Sequence, residues 1–144
     1  VNPFTRRATT AAAGFAMAVT GSLFAVASPA SAAYACPAQQ VCFYENYNRE
    51  GSPATLAGLA QGGGGVRVFS DHKFHNGVNL NDKASSVHNN TNQWIRVYEN
   101  TNYSGRGQYV EPGAWSNFTG GDVRNDKASS AQFVEEPCFP GQWC

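Results

Sequence analysis

The segment Asn81-Asp82-Lys83-Ala84-Ser85-Ser86 recurs letter for letter as Asn125-Asp126-Lys127-Ala128-Ser129-Ser130. Each copy opens on an amide and a carboxylate and closes on two hydroxyls, with no bulky apolar residue between them. A hard cation such as calcium takes several oxygen ligands in a flexible cage, and Asp, Asn, Ser and backbone carbonyls are the groups that build one. A turn capped by Asn-Asp, with Ser-Ser opening a strand, would use the same residues. That turn explains one copy; two identical copies point to a shared ligand. With a single aspartate per hexapeptide, the expected affinity is micromolar or weaker.

Other residue types do not assemble into catalytic chemistry. Ser85, Ser86, Ser129 and Ser130 lie outside any nucleophile elbow. Glu45 and Glu99 hold matching positions in a repeat rather than opposite walls of a cleft, which argues against a glycosidase pair. His72 and His75 flank a stretch that reads as a loop, where their spacing does not turn both rings to one side. The protein is expected not to be an enzyme.

The hexapeptides belong to a larger duplication. Tyr44-Glu45-Asn46 leads to Gly51, and Tyr98-Glu99-Asn100 leads to Gly105, an offset of 54 positions. From Phe74 and Gly77 to Phe118 and Gly121, and through the hexapeptides, the offset is 44. The first copy, about residues 41–88, therefore carries ten more residues than the second, about 94–134, between Gly51 and Phe74. Gly62-Gly63-Gly64-Gly65 falls there and reads as a mobile loop insertion. A solenoid needs about three repeats or more, so two units must bury their faces against each other.

Both units read as strands. Val41–Tyr44, Val66–Phe69, Trp94–Tyr98, Gly107–Val110 and Ala131–Val134 are short alternating runs between Gly, Asn, Asp and Ser. Ile95, Val97 and Tyr109 fit an inward face, with Arg96 and Gln108 outward. The expected fold is all-β, with four strands from each repeat closed as a Greek-key pair.

Residues 1–32 read as a signal peptide: Arg6 and Arg7, an Ala-rich apolar run, then Ala30-Ser31-Ala32 as a cleavage site. The run is too diluted by Gly and Thr for a membrane span. A single secreted domain, residues 33–144, would follow, expected as a monomer. Arg6 and Arg7 are two of the ten basic residues, so eight remain against ten acidic ones, a net of −2. That balance offers no surface for nucleic acid. Export permits disulfides. Cys36 and Cys42 enclose five residues, as do Cys138 and Cys144. Local pairing is favoured, with a cross-link between the termini as the rival.

Tyr98, Tyr103 and Gly105 form the aromatic-x₄-aromatic-x-Gly signature that resembles βγ-crystallin motifs. The first copy keeps Tyr44 and Gly51 but has Arg49 at the second aromatic position, so its hairpin is expected to be less tightly locked. The paired hexapeptides are similar to the double-clamp calcium motif of microbial βγ-crystallins. The resemblance implies a disulfide-stapled sandwich of two Greek keys with two calcium sites. One would take the Ser85 hydroxyl, a carbonyl near Glu45 and the Lys127 carbonyl. The other would take the Ser129 hydroxyl, a carbonyl near Glu99 and the Lys83 carbonyl. Asp82 and Asp126 would supply charge, and Asn81 and Asn125 would tie the loops by hydrogen bonds.

The opening Cys36-Pro37, followed by Val41-Cys42-Phe43-Tyr44-Glu45-Asn46, is similar to a family of small secreted bacterial peptidase inhibitors with the same fold, whose best-known members act on metalloproteases. This implies an extracellular peptidase as partner. A disulfide loop at residues 138–144 would present Phe139 and Trp143 as a rigid apolar contact, with its ordering entropy spent before binding. The same aromatics could instead cover the end of the sandwich. A calcium-binding structural or stress module, or a secreted antimicrobial or toxin, is the alternative from another class.

Overall fold

Seven strands make two antiparallel sheets in the computed structural model, which describes residues 33–141. The signal peptide expected at residues 1–32, and Trp143 and Cys144, lie outside the described residues. The first sheet has the order β2-β1-β3-β6, from β1 (Gln40–Tyr44), β2 (Pro53–Ala60), β3 (Ser86–Asn90) and β6 (Trp115–Asn117). The second has the order β5-β4-β7, from β4 (Trp94–Asn100), β5 (Ser104–Val110) and β7 (Ser130–Val134).

The repeats exchange chain between sheets. Strand β6 belongs to the second repeat but pairs with β3 of the first, with Val87 opposite Ser116. Val66 of the first repeat reciprocates with a bridge to Ala131 in β7, through hydrogen bonds of 2.7 and 3.0 Å. The strand expected at Val66–Phe69 reduces to that bridge, because the chain turns at once into a 3₁₀ turn at Phe69–Asp71. Burying Phe69 decides this: its ring packs on Phe43 at 4.9 Å, and its N–H donates to the Ser129 carbonyl. The first repeat therefore supplies three strands rather than the four expected, and the second sheet has three.

Apolar residues of both repeats share one core, including Val41, Phe43, Leu59, Phe69, Phe74, Val87, Ile95, Val97 and Phe118. Strand β1 is buried on both faces. Its outer face is covered by the segment tied back through the Cys36–Cys42 disulfide, where Tyr44 donates its hydroxyl to the Tyr34 carbonyl at 2.9 Å. Asn89, fully buried, donates Nδ2 to the carbonyls of Gln93, Val110 and Glu111 and so ties three backbone segments together from inside.

Two expectations are corrected here. Tyr109 faces outward and Gln108 inward, because Val97 pairs with Gln108 and Arg96 with Tyr109. The buried Gln108 amide is satisfied by the Ser116 hydroxyl at 2.6 Å, and Tyr109 stacks on the Arg96 guanidinium at 4.7 Å. The Gly-rich insertion is not an open loop either. It folds back on β2 so tightly that a Cβ at Gly58 or Gly63 would lie 2.4 Å from a backbone oxygen of the other limb. Glycine is used there for close backbone approach.

Candidate metal centre

Each repeat begins with a folded hairpin that positions the hexapeptide of its own sheet. In the first, Asn48, Arg49 and Gly51 take φ of 58, 63 and 76°; in the second, Asn102, Tyr103 and Gly105 take 57, 59 and 79°. The backbones match although the side chains at Arg49 and Tyr103 differ. Tyr103 stacks near Tyr98 at 5.9 Å, whereas Arg49 lies over Trp115 at 5.0 Å. One hydroxyl pins each hairpin. Ser86 donates to the Asn46 carbonyl at 2.7 Å and accepts the Arg49 N–H at 3.1 Å. Ser130 does the same with Asn100 at 2.6 Å and Tyr103 at 3.1 Å.

The two hexapeptides lie against each other and cross. Asp82 donates its N–H to the Ala128 carbonyl at 3.2 Å, and Asp126 donates to Ala84 at 3.3 Å. Both aspartates adopt φ of 54°, a left-handed conformation that Asp tolerates better than most residues. Ser85 donates its N–H to the carbonyl of Tyr44, next to Glu45, and Ser129 donates to Tyr98, next to Glu99, each at 2.9 Å. The Ser85 hydroxyl faces Asp126 Oδ1 at 3.4 Å, and the Ser129 hydroxyl faces Asp82 Oδ1 at 3.3 Å. A good hydroxyl–carboxylate bond is about 2.7 Å, so these contacts are long and weak.

Asn81 and Asn125 each donate Nδ2 to the following aspartate, at 2.9 and 3.0 Å. Asn125 Oδ1 is buried and has no hydrogen-bond partner. Buried polar atoms are nearly always satisfied, and a bound cation would satisfy this oxygen. Lys83 and Lys127 are exposed, and the Lys127 carbonyl accepts from the Ser129 hydroxyl at 3.4 Å. Among the described residues no group of three or more His, Cys, Asp and Glu forms a metal cluster. The oxygens gathered here are hydroxyls, carbonyls, an amide and one carboxylate per half, a donor set that suits calcium and disfavours zinc.

The side chains of the two glutamates are engaged differently. Glu45 accepts from Asn76 Nδ2 at 2.9 and 3.0 Å and from the Ser52 N–H at 3.0 Å. Glu99 accepts from Nε and Nη2 of Arg124, each at 2.9 Å, and from the Arg124 N–H at 2.8 Å. The Arg124 side-chain bond is the main reason that the Glu99 carboxyl titrates at about 2, and Arg124 is raised in return. An open depression of about 660 Å³ beside this pair is lined by Asn81, Asp82, Glu99, Arg124, Lys127 and Ser129, among others. Arg124 and Asn76 were not foreseen from the sequence. The available signal was a break in the duplication, since Arg124 stands where the first copy has Leu80.

Phe139 sits elsewhere, against the outer face of the second sheet. Phe139 is 43 % exposed and rests between Trp94 at 6.1 Å and Tyr109 at 6.3 Å. Cys138 is disulfide-bonded. His75 is exposed and meets the Tyr34 ring edge-on at 5.4 Å.

Two crossed Greek-key motifs of this kind define a βγ-crystallin domain, and solved structures bear this out. One described as concerning the evolution of the eye lens βγ-crystallin domain fold is 23 % identical, covers 72 % of this chain and 94 % of its own, with a TM-score of 0.56. A βγ-crystallin from Ciona intestinalis is 20 % identical and covers 66 % and 99 %, with a TM-score of 0.51. The profile of peptidase inhibitor family I36 matches residues 29–110, more than half of the sequence, and the chain belongs to that family. No curated protein matches the chain. Family and fold are both of non-enzymatic kinds. Among the described residues no helix is long and apolar enough to cross a membrane.

Proposed function

We propose that this protein is a secreted inhibitor of an extracellular peptidase, a metalloprotease in the first instance, whose scaffold is stiffened by two calcium ions. The observation that carries the reading is the family membership over residues 29–110. The calcium component draws support from the crossed Ser85–Asp126 and Ser129–Asp82 contacts and from the unsatisfied Asn125 Oδ1. Ser85, Ser129, Asp82 and Asp126 would hold the ions, with carbonyls of Lys83 and Lys127 and those near Glu45 and Glu99. Calcium would join the two repeats through oxygens that otherwise meet only in long contacts.

A second reading, a calcium-binding structural module without a peptidase target, is favoured by one specific observation. Phe139 leans on Trp94 and Tyr109 rather than projecting freely, and its position in the sequence lies beyond the segment matched to the inhibitor family. Inhibition assays against a thermolysin-like and a subtilisin-like protease, with and without calcium, separate the two. Stoichiometric inhibition of the thermolysin-like enzyme supports the first reading. Inhibition of neither class, with calcium still raising the melting temperature, establishes the second.

A further inference from the structure

We infer that the two halves of the clamp are unequal, and that Arg124 makes the Ser129–Asp82 half the weaker calcium site. This rests on the calcium reading above and adds the residue that sets the affinity of one site.

The duplication supplies an internal control. Position for position the hexapeptides are identical, so any difference between the halves must come from their surroundings. Around Glu99 the second copy places Arg124 and Arg106. The corresponding positions in the first copy, 44 and 54 residues earlier, are Leu80 and Ser52. Leu80 is fully buried in the core and carries no charge to the site. Glu45 accordingly has only neutral partners, the Asn76 amide and the Ser52 N–H. Glu99 is instead neutralised by a two-point guanidinium contact.

Arg124 lies in the same depression as Asp82 and Ser129, so its charge faces the cation that those residues would take. One half thus has the charge of Glu45 plus Asp126 to offer. The other has Asp82 alone, with Glu99 cancelled by Arg124. This difference in charge favours the Ser85–Asp126 half. A unit charge about 10 Å from a divalent ion in water-like surroundings changes affinity roughly three- to fivefold, and salt screens that difference.

Calcium titrated calorimetrically into the full chain at low salt tests this. Two dissociation constants are expected; Ser129→Ala should leave the tighter and Ser85→Ala the weaker. Arg124→Gln should then tighten the site remaining in the Ser85→Ala protein by roughly three- to fivefold. It should leave the site remaining in the Ser129→Ala protein unchanged. Arg124→Lys, which keeps the charge, should leave both as they are. Two equal sites, or an Arg124→Gln effect that is absent or the same in both backgrounds, overturns the inference while calcium binding stands. No binding heat in the unmodified chain overturns the calcium reading and this inference together.

Discussion

The Ser85 hydroxyl reaches across the repeat boundary to Asp126 Oδ1 at 3.4 Å, and Ser129 returns the contact to Asp82 at 3.3 Å. Each half of the clamp is therefore built from both repeats, and neither repeat can complete a half alone. A ligand held there would act as a cross-link between the two sheets.

Calcium should accordingly raise the melting temperature by several degrees at millimolar concentration. One site at a hundred times its dissociation constant contributes about 2.7 kcal/mol. Ser85→Ala combined with Ser129→Ala should remove most of that shift while leaving the calcium-free melting temperature nearly unchanged. Scanning calorimetry with calcium and with a chelator checks this, and an undiminished shift in the double variant would contradict it.

The hairpin pins should matter more to the calcium-free fold than the clamp hydroxyls do. Ser130 Oγ is buried, donates to Asn100 and accepts from Tyr103. Ser130→Ala leaves both partners unsatisfied, at a cost of about 1–3 kcal/mol. Ser86→Ala should behave alike, since its bonds to Asn46 and Arg49 match. Urea unfolding in the presence of a chelator measures both.

Glu99 should give the protein an acid-sensitive step. Its carboxyl is lowered to about 2, first by the Arg124 side-chain bond. A depressed folded value means the contribution is complete above the unfolded carboxyl range and fades as pH falls from about 4.5 towards 2. Glu99→Gln should flatten the stability profile in that window and leave it unaltered near neutrality in shape. Thermal melts between pH 2 and 6 read this directly.

The loop decides between contact and cover. Truncation after Glu136 should leave the two sheets folded, because both sheets and their shared core end by Val134. If Phe139 is the inhibitory side chain, Phe139→Ala should weaken inhibition by about 2 kcal/mol, the scale of an interface hot spot. Equal potency of the truncated and full chains would move the contact surface into residues 29–110, the segment that matches the inhibitor family.

Much of this molecule is written locally. The repeated hexapeptide, the spacing of Tyr98, Tyr103 and Gly105, and the extended runs that become β1, β4, β5 and β7 depend on residues close in sequence. They could be read without coordinates. What the tertiary structure decided depends on pairings between distant segments. Tyr109 turned outward because the shift in pairing between Tyr98 and Asn100 sets the register of β5, and one residue of register reverses every side chain. Val66–Phe69 lost its strand because burial of Phe69 against Phe43 outweighed extension of the ladder. Arg124 acquired its place because Glu99, 25 residues earlier, lay opposite it. Sequence periodicity reports which residues prefer to be buried or extended; which distant groups then meet is set by how the two repeats cross.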